Sequence, residues 1–171
     1  MPWFDALRTA TPETAIAFRL LLAAALGAVI GLEREFKARP AGLRTHMLVA
    51  LAAAVFTLIT LELLQETRSA QEQGRADPIR VIEAVTAGVA FLAAGAIIQA
   101  RGQVQGITTG AAMWLAGAVG VACGGGYYTI AAMATVLAML ILTVLAYIER
   151  RIEGSQHTAA RTEQPPRNRQ R

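Results

Sequence analysis

One cysteine, Cys123, is all the chain has, so no intramolecular disulfide can form and no thiolate cluster can hold a metal. It reads as a structural thiol. Histidine is almost as scarce, with His46 and His157 the two present. No P-loop, no His-Glu-x-x-His helix and no Ser/His/Asp set at helical or loop spacing accompanies them. Cys123 falls near one end of its apolar segment and His46 at the opposite end of another, which separates a thiol from any base. Catalysis is therefore not expected, and no cofactor is implied. Charge is sparse as well: charged residues make up 16% of the chain, against about 25% in soluble domains. Hydrophobic residues reach 54%. A net charge of +4 raises the question of nucleic acid. The basic residues, however, sit at the ends of apolar runs, where membrane topology accounts for them and nucleic acid does not.

Five apolar stretches run approximately over Ala15–Leu32, His46–Leu64, Val81–Ala100, Ile107–Cys123 and Tyr128–Ile148. Each is near or above the roughly 17 residues that cross a hydrocarbon core of about 30 Å. The expected fold is an all-α membrane protein, a five-span helix bundle over residues 15–150. Residues 1–14 would be a periplasmic segment and 151–171 a disordered basic tail with Pro165-Pro166 and no apolar period. Arg19 interrupts the first stretch, and Asp5 and Glu13 spoil a positive leader, so a cleaved signal peptide is not expected. The fourth stretch is rich in glycine and alanine (Gly110, Ala111, Ala112, Ala116, Gly117, Ala118, Gly120). Lipid exposure gains it little, so it belongs inside the bundle.

Orientation follows from Lys and Arg. Arg34, Lys37, Arg39, Arg44, Arg101 and the tail arginines from Arg150 onward fall on one side; Arg8, Arg68, Arg75 and Arg80 fall on the other. The positive-inside rule makes the first side cytoplasmic and the N-terminus external. Trp3, Phe4, Tyr127 and Tyr128 then lie near the outer interface and Tyr147 near the inner one, where aromatic belts form. Gln65–Asp77, ended by Pro78, is an external loop.

The hydrophilic island from Glu33 to His46 is the most specific motif. With its flanks it reads Gly31-Leu32-Glu33-Arg34-Glu35 followed by Arg39-Pro40-Ala41-Gly42-Leu43-Arg44-Thr45-His46-Met47-Leu48-Val49. This pattern resembles the cytoplasmic signature of the MgtC/SapB family of bacterial inner-membrane proteins. Val89–Ile98 is similar to the family's Gly-Phe-Leu-Gly-Ala-Gly stretch, with alanines at two of its glycines, and Gly102–Trp114 to its Gly-Leu-Thr-Thr-Ala-Ala-x-Leu-Trp segment. The resemblance extends over about residues 15–150. It implies a multi-pass inner-membrane domain of five spans, associated with magnesium limitation, survival in host cells and, in the founding members, control of the ATP synthase. Many members add a soluble C-terminal domain, where this sequence has a basic tail.

Two groups of residues carry the functional expectations. On the cytoplasmic face, Glu33, Arg34, Glu35, Arg39, Arg44, Thr45, Arg101, Thr108 and Thr109 are expected to form one composite site. Spans two and four begin there, with Thr45 as N-cap of span two, and helix N-termini favour anions. Glu33 and Lys37 have the i,i+4 spacing of a helix-surface pair, and Glu33 and Glu35 would hold Arg39 and Arg44 in place. The alternative is a salt-bridged cap that serves topology alone. In the membrane, Arg19 and Glu83 each lie about four residues in from the outer side, roughly 5 to 6 Å deep, so an ion pair is the expected arrangement, with a proton-relay role or separate snorkelling as alternatives. Glu83 departs from the family, which more often has an uncharged polar residue there. Gly27/Gly31, Gly106/Gly110 and Gly120/Gly124 form G-x-x-x-G pairs, and Ala84, Gly88 and Gly95 put small residues on span three. These suit close packing within the monomer, or a seam in a homo-oligomer. Two functions are compatible with this inventory: a non-enzymatic membrane regulator that binds a ligand or partner, and an ion permease or channel for Mg²⁺, K⁺ or H⁺ acting as an oligomer. The permease reading draws on Arg19, Glu83, the glycine-rich fourth stretch and a cation site at Glu33 and Glu35, and the sequence leaves any metal open.

Overall fold

In the computed structural model, which describes residues 9–69, 77–100 and 103–147, Pro12 starts the first helix, α1 (Glu13–Phe36), by leaving its carbonyl for the amides of Ala15 and Ile16. The N-terminal segment, the middle of the Gln65–Asp77 loop, Arg101 and the basic tail lie wholly or partly outside the described residues. α1 ends in a Schellman motif. Arg39 N–H donates to Arg34 O and Ala38 N–H to Glu35 O, around Ala38 at φ 50°. Glycine usually takes this left-handed position. Pro40 follows and prevents the helix from resuming.

The second helix, α2 (Leu43–Ser69), begins two residues before the expected Thr45 cap. Its first amide, Leu43 N–H, is satisfied by Glu35 Oε2 at 3.0 Å. A side chain on Gly42 would collide with that carboxylate. At the opposite end the favour is returned: Glu62 of α2 accepts from the amides of Ala10 and Thr11, which lead into α1. α3 (Pro78–Gly95) has Asp77 as a true N-cap, its side chain accepting from Ile79 N–H, with Pro78 at the first helical position. The third apolar stretch does not stay helical to Ala100 as expected. After Ala96 the chain turns into a short antiparallel hairpin, β1 (Ile98–Ala100) and β2 (Gln103–Gln105), with Ile98 opposite Gln105. Gly106 at φ 90° re-aims it into α4 (Ile107–Gly124). A second Schellman motif, around Gly126 at φ 82°, closes α4 and leads to α5 (Tyr128–Leu140). α5 continues through a π-helical segment, Ile141–Leu145.

α4 is central, as its composition suggested. It packs on α1, α2, α3 and α5, whereas α3 leans mainly on α4 and more loosely on α2. Glycines set the distances. A Cβ on Gly27 would lie 2.7 Å from His46 O, one on Gly120 2.1 Å from Ala50 O, and one on Gly124 2.6 Å from Ala54 O. α2 therefore presents a row of His46, Ala50 and Ala54 to backbone on both sides, and the Gly27/Gly31 and Gly120/Gly124 pairs serve packing within one chain. Gly88 and Gly95 differ: nothing lies within 4 Å of their Cβ positions. Beside Gly88 an apolar groove of about 540 Å³ separates α3 from α2, lined by Val49, Phe56, Ala84 and Leu92 among others.

The interior is alanine-rich, and the largest fully buried side chains are Ile30, His46, Val119, Thr109 and Cys123. Phe18, Leu21, Phe56, Phe91, Trp114 and Leu137 are exposed. Small residues inside and large apolar ones outside reverse the soluble pattern and match helices packed in lipid. Among the described residues, four helical segments are long and apolar enough to cross a membrane: α1, α2 as far as Thr67, α4, and the run Tyr128–Leu145.

Candidate functional site: a buried polar cluster beside a cationic pocket

Glu33 and Arg34 lie on the last turn of α1 and Lys37 is its C-cap, where a helix C-terminus welcomes positive charge. Arg34 is 3% exposed and reaches α4, donating from Nη2 to Thr109 Oγ1 at 2.9 Å. Thr109 is itself buried in the first turn of α4. This bond joins positions 75 apart in sequence and brings together two of the three family-like segments, the island at the end of α1 and Gly102–Trp114. Thr109 Oγ1 is the acceptor in this bond. Arg34 Nη1 stands 3.7 Å from Glu33 Oε2, and Lys37 Nζ pairs with Glu33 Oε1. The i,i+4 pair is thus present, but with a buried carboxylate rather than on an exposed helix face.

Lys37 does more than neutralise Glu33. Its Nζ also donates to Leu142 O at 2.9 Å, in the π-helical segment. Re-spacing from i→i+4 to i→i+5 bonds widens that turn, and such segments recur at functional sites. A pocket of about 180 Å³ opens here, lined by Arg34, Lys37, Arg39 and Thr108 on one side and by Ile141, Leu142, Leu145 and Ala146 on the other. The Schellman turn at Ala38 is what folds Arg39 back to this wall.

His46, not among the expected site residues, is fully buried on the first turns of α2. Its Nδ1 lies 2.9 Å from Gly42 O and so carries the proton as donor, leaving Nε2 buried without a hydrogen-bond partner. Arg34 Nε is likewise buried and unpartnered. The signal for His46 was its spacing from Ala50 and Ala54, which puts all three on one helix face.

Other expected members are placed differently. Glu35 caps α2 instead of holding an arginine. Arg44 is exposed on the first turn of α2, Thr45 is half-buried without a capping role, and Thr108 is exposed at the pocket rim. Arg101 lies outside the described residues. The Arg19–Glu83 pair does not form. Arg19 donates from Nη1 to Gly124 O at 2.9 Å and from Nε to Tyr128 Oη at 3.3 Å, while Glu83 is exposed. The reason is topological: α3 does not run alongside α1, and the terminal carbonyls of α4 supply acceptors close by. Among the described residues no three His, Cys, Asp or Glu side chains converge as metal ligands.

Long apolar helices around an alanine and glycine interior, with the buried charge of the described residues at one end, define a polytopic helical membrane protein. The chain belongs to the MgtC family, whose model matches residues 20–151. It is 36% identical over 143 residues to SrpB of Synechococcus elongatus, covering 79% of this chain and 77% of that protein. It is 40% identical over 120 residues to MgtC of Brucella abortus, covering 70% and 47%. It is also 34% identical over 139 residues to YhiD of Escherichia coli K12, named provisionally as a magnesium transporter, covering 81% and 64%. A Haemophilus influenzae relative is covered to 59% of its length, so the chain spans under two thirds of several of these proteins. No solved structure matches it.

Proposed function

We propose that this chain is a five-span inner-membrane protein, N-terminus outside, that acts as a non-enzymatic regulator in the response to magnesium limitation or in membrane energetics. α3 is taken as the remaining span. Its 18 residues reach about 27 Å at 1.5 Å per residue, close to the hydrocarbon thickness. With α1 running inward, the Glu33–His46 turn and the hairpin before α4 share the cytoplasmic face, beside the surplus of Lys and Arg.

The observation that carries the regulatory reading is where the buried polar groups sit. Glu33, Arg34, His46 and Thr109 gather at one end of the bundle, and the buried polar residues elsewhere among the described ones are Thr11 and Thr135. A transport path would need polar groups at successive depths; a binding site needs them at one face. The magnesium link rests on the names of relatives, and a membrane partner such as the ATP synthase is what the family resemblance implies.

Two measurements test the reading. Cysteine at the exposed Glu66 should react with an impermeant maleimide on whole cells, and cysteine at the exposed Arg39 should not; the reverse labelling overturns the orientation. Purified protein in liposomes should carry no Mg²⁺, K⁺ or H⁺ flux above protein-free vesicles. Flux above that background would replace the regulator with an ion permease.

A further inference from the structure

The pocket between the end of α1 and the π-helical segment has an imbalance of charge. Arg34, Lys37 and Arg39 all line it, and Glu33, the carboxylate paired with Arg34 and Lys37, is not part of its wall. Their hydrogen-bonding capacity is only partly used. Arg34 Nε is buried with no partner. Lys37 spends donors on Glu33 and Leu142 O out of the three an ammonium carries. Arg39 is exposed at the rim. The hydroxyl of Thr108 adds a donor on the same wall. Three cations at close quarters repel one another, and an anion with several acceptor oxygens removes that repulsion and fills the vacant donors together. The opposite wall is apolar, and Ile141 and Leu145 are more than half exposed beside it.

We infer that this pocket binds a phosphate group. It deepens the inner-face site proposed above and rests on that reading only for the side of the membrane it faces. Phosphate fits where a carboxylate fits less well, because three or more oxygens can meet guanidinium, ammonium and hydroxyl donors from different directions. The apolar wall suits a phosphate that carries an acyl chain, as in an anionic phospholipid, whose phosphodiester offers two non-bridging and two ester oxygens; a soluble phosphomonoester offers three terminal oxygens and no chain.

The test uses the full chain, delipidated in detergent and titrated by native mass spectrometry with dioleoylphosphatidylglycerol, with dioleoylphosphatidylcholine as zwitterionic reference and glycerol 3-phosphate as soluble competitor. Phosphatidylglycerol should bind in preference to phosphatidylcholine. Arg39→Gln should weaken that binding about 10-fold, the worth of one charge-assisted hydrogen bond. Ala146→Phe, which fills the pocket from the half-buried Ala146 position, should abolish it. Arg80→Gln, an exposed charge on the first turn of α3, should leave it unchanged. Displacement by glycerol 3-phosphate assigns the phosphate to a soluble source, and no displacement assigns it to lipid. The inference is overturned if neither compound binds, if Arg39→Gln and Ala146→Phe bind phosphatidylglycerol like the parent, or if Arg80→Gln loses as much. Because the titration is blind to orientation and to flux, its failure and the failure of the regulator reading are separate results.

Discussion

Thr109→Val isolates the bond that joins α1 to α4. Valine keeps the branched shape of threonine and removes the hydroxyl that accepts from Arg34 Nη2 at 2.9 Å. The guanidinium has little to fall back on: Nε is already unpartnered, and Nη1 stands 3.7 Å from Glu33 Oε2, long for a hydrogen bond. At 3% exposure, water cannot easily replace the lost acceptor. A hydrogen bond to a charged group is worth about 1.5–3 kcal/mol. At roughly 2–4 °C per kcal/mol for a chain of this size, the melting temperature in detergent should fall by about 3–12 °C. Arg34→Met removes the donor instead, and Thr109→Val made in that background should cost almost nothing, since both partners are then apolar. The coupling in this cycle should be about 0.5–3 kcal/mol, as for residues in direct contact. If Thr109→Val costs the same with and without Arg34, the bond contributes nothing and the reasoning fails.

Gly120→Ala and Gly88→Ala should move stability in opposite directions. The first drives a methyl to 2.1 Å from Ala50 O and should cost about 1–3 kcal/mol as overpacking; the second meets nothing within 4 Å and should gain about 0.5–1 kcal/mol from helix propensity, both read by thermal melting in one detergent. Arg19→Ala should lower the melting temperature through loss of its bonds to Gly124 O and Tyr128 Oη, Glu83→Ala should not, and the double variant should equal their sum; a coupling between them would restore the ion pair that the fold leaves unmade.

What was legible in the sequence was whatever depends on one segment at a time. Apolar length located the helices, small-residue content placed α4 at the centre, and i,i+4 spacing paired Glu33 with Lys37. What was missed depends on how segments face each other. Arg19 and Glu83 matched in depth, but depth says nothing about angular position around the bundle, and α4 and α5 supply the partners of Arg19 instead. Glu35 looked like a partner for arginine because charge suggests charge, yet an uncapped helix start one turn away offered an amide with no other acceptor. The third stretch stayed apolar to Ala100, and hydrophobicity alone cannot tell the end of a helix from a strand; Gly106, able to adopt φ 90°, was the local sign that the chain turns there. Of the site, the motif residues Arg34 and Thr109 are legible in the sequence, while their direct bond and the burial of His46 require the packed fold.

The glycine contacts divide the bundle into parts of unequal freedom. α1, α2 and α4 touch backbone to backbone at Gly27, Gly31, Gly120 and Gly124, so sliding any of them past the others means breaking contacts that have no slack. α3 touches α4 through Val89 at Gly117 and Ala93 at Gly110, and toward α2 it faces open space at Gly88. It is also bounded by a capped start at Asp77 and a hairpin ending at Gly106, both natural hinge points. Among the described helices, the cheapest change of shape is therefore a swing of α3 against the block of α1, α2 and α4. Because the hairpin leads straight into the first turn of α4, that swing would pull on the residue that holds Arg34.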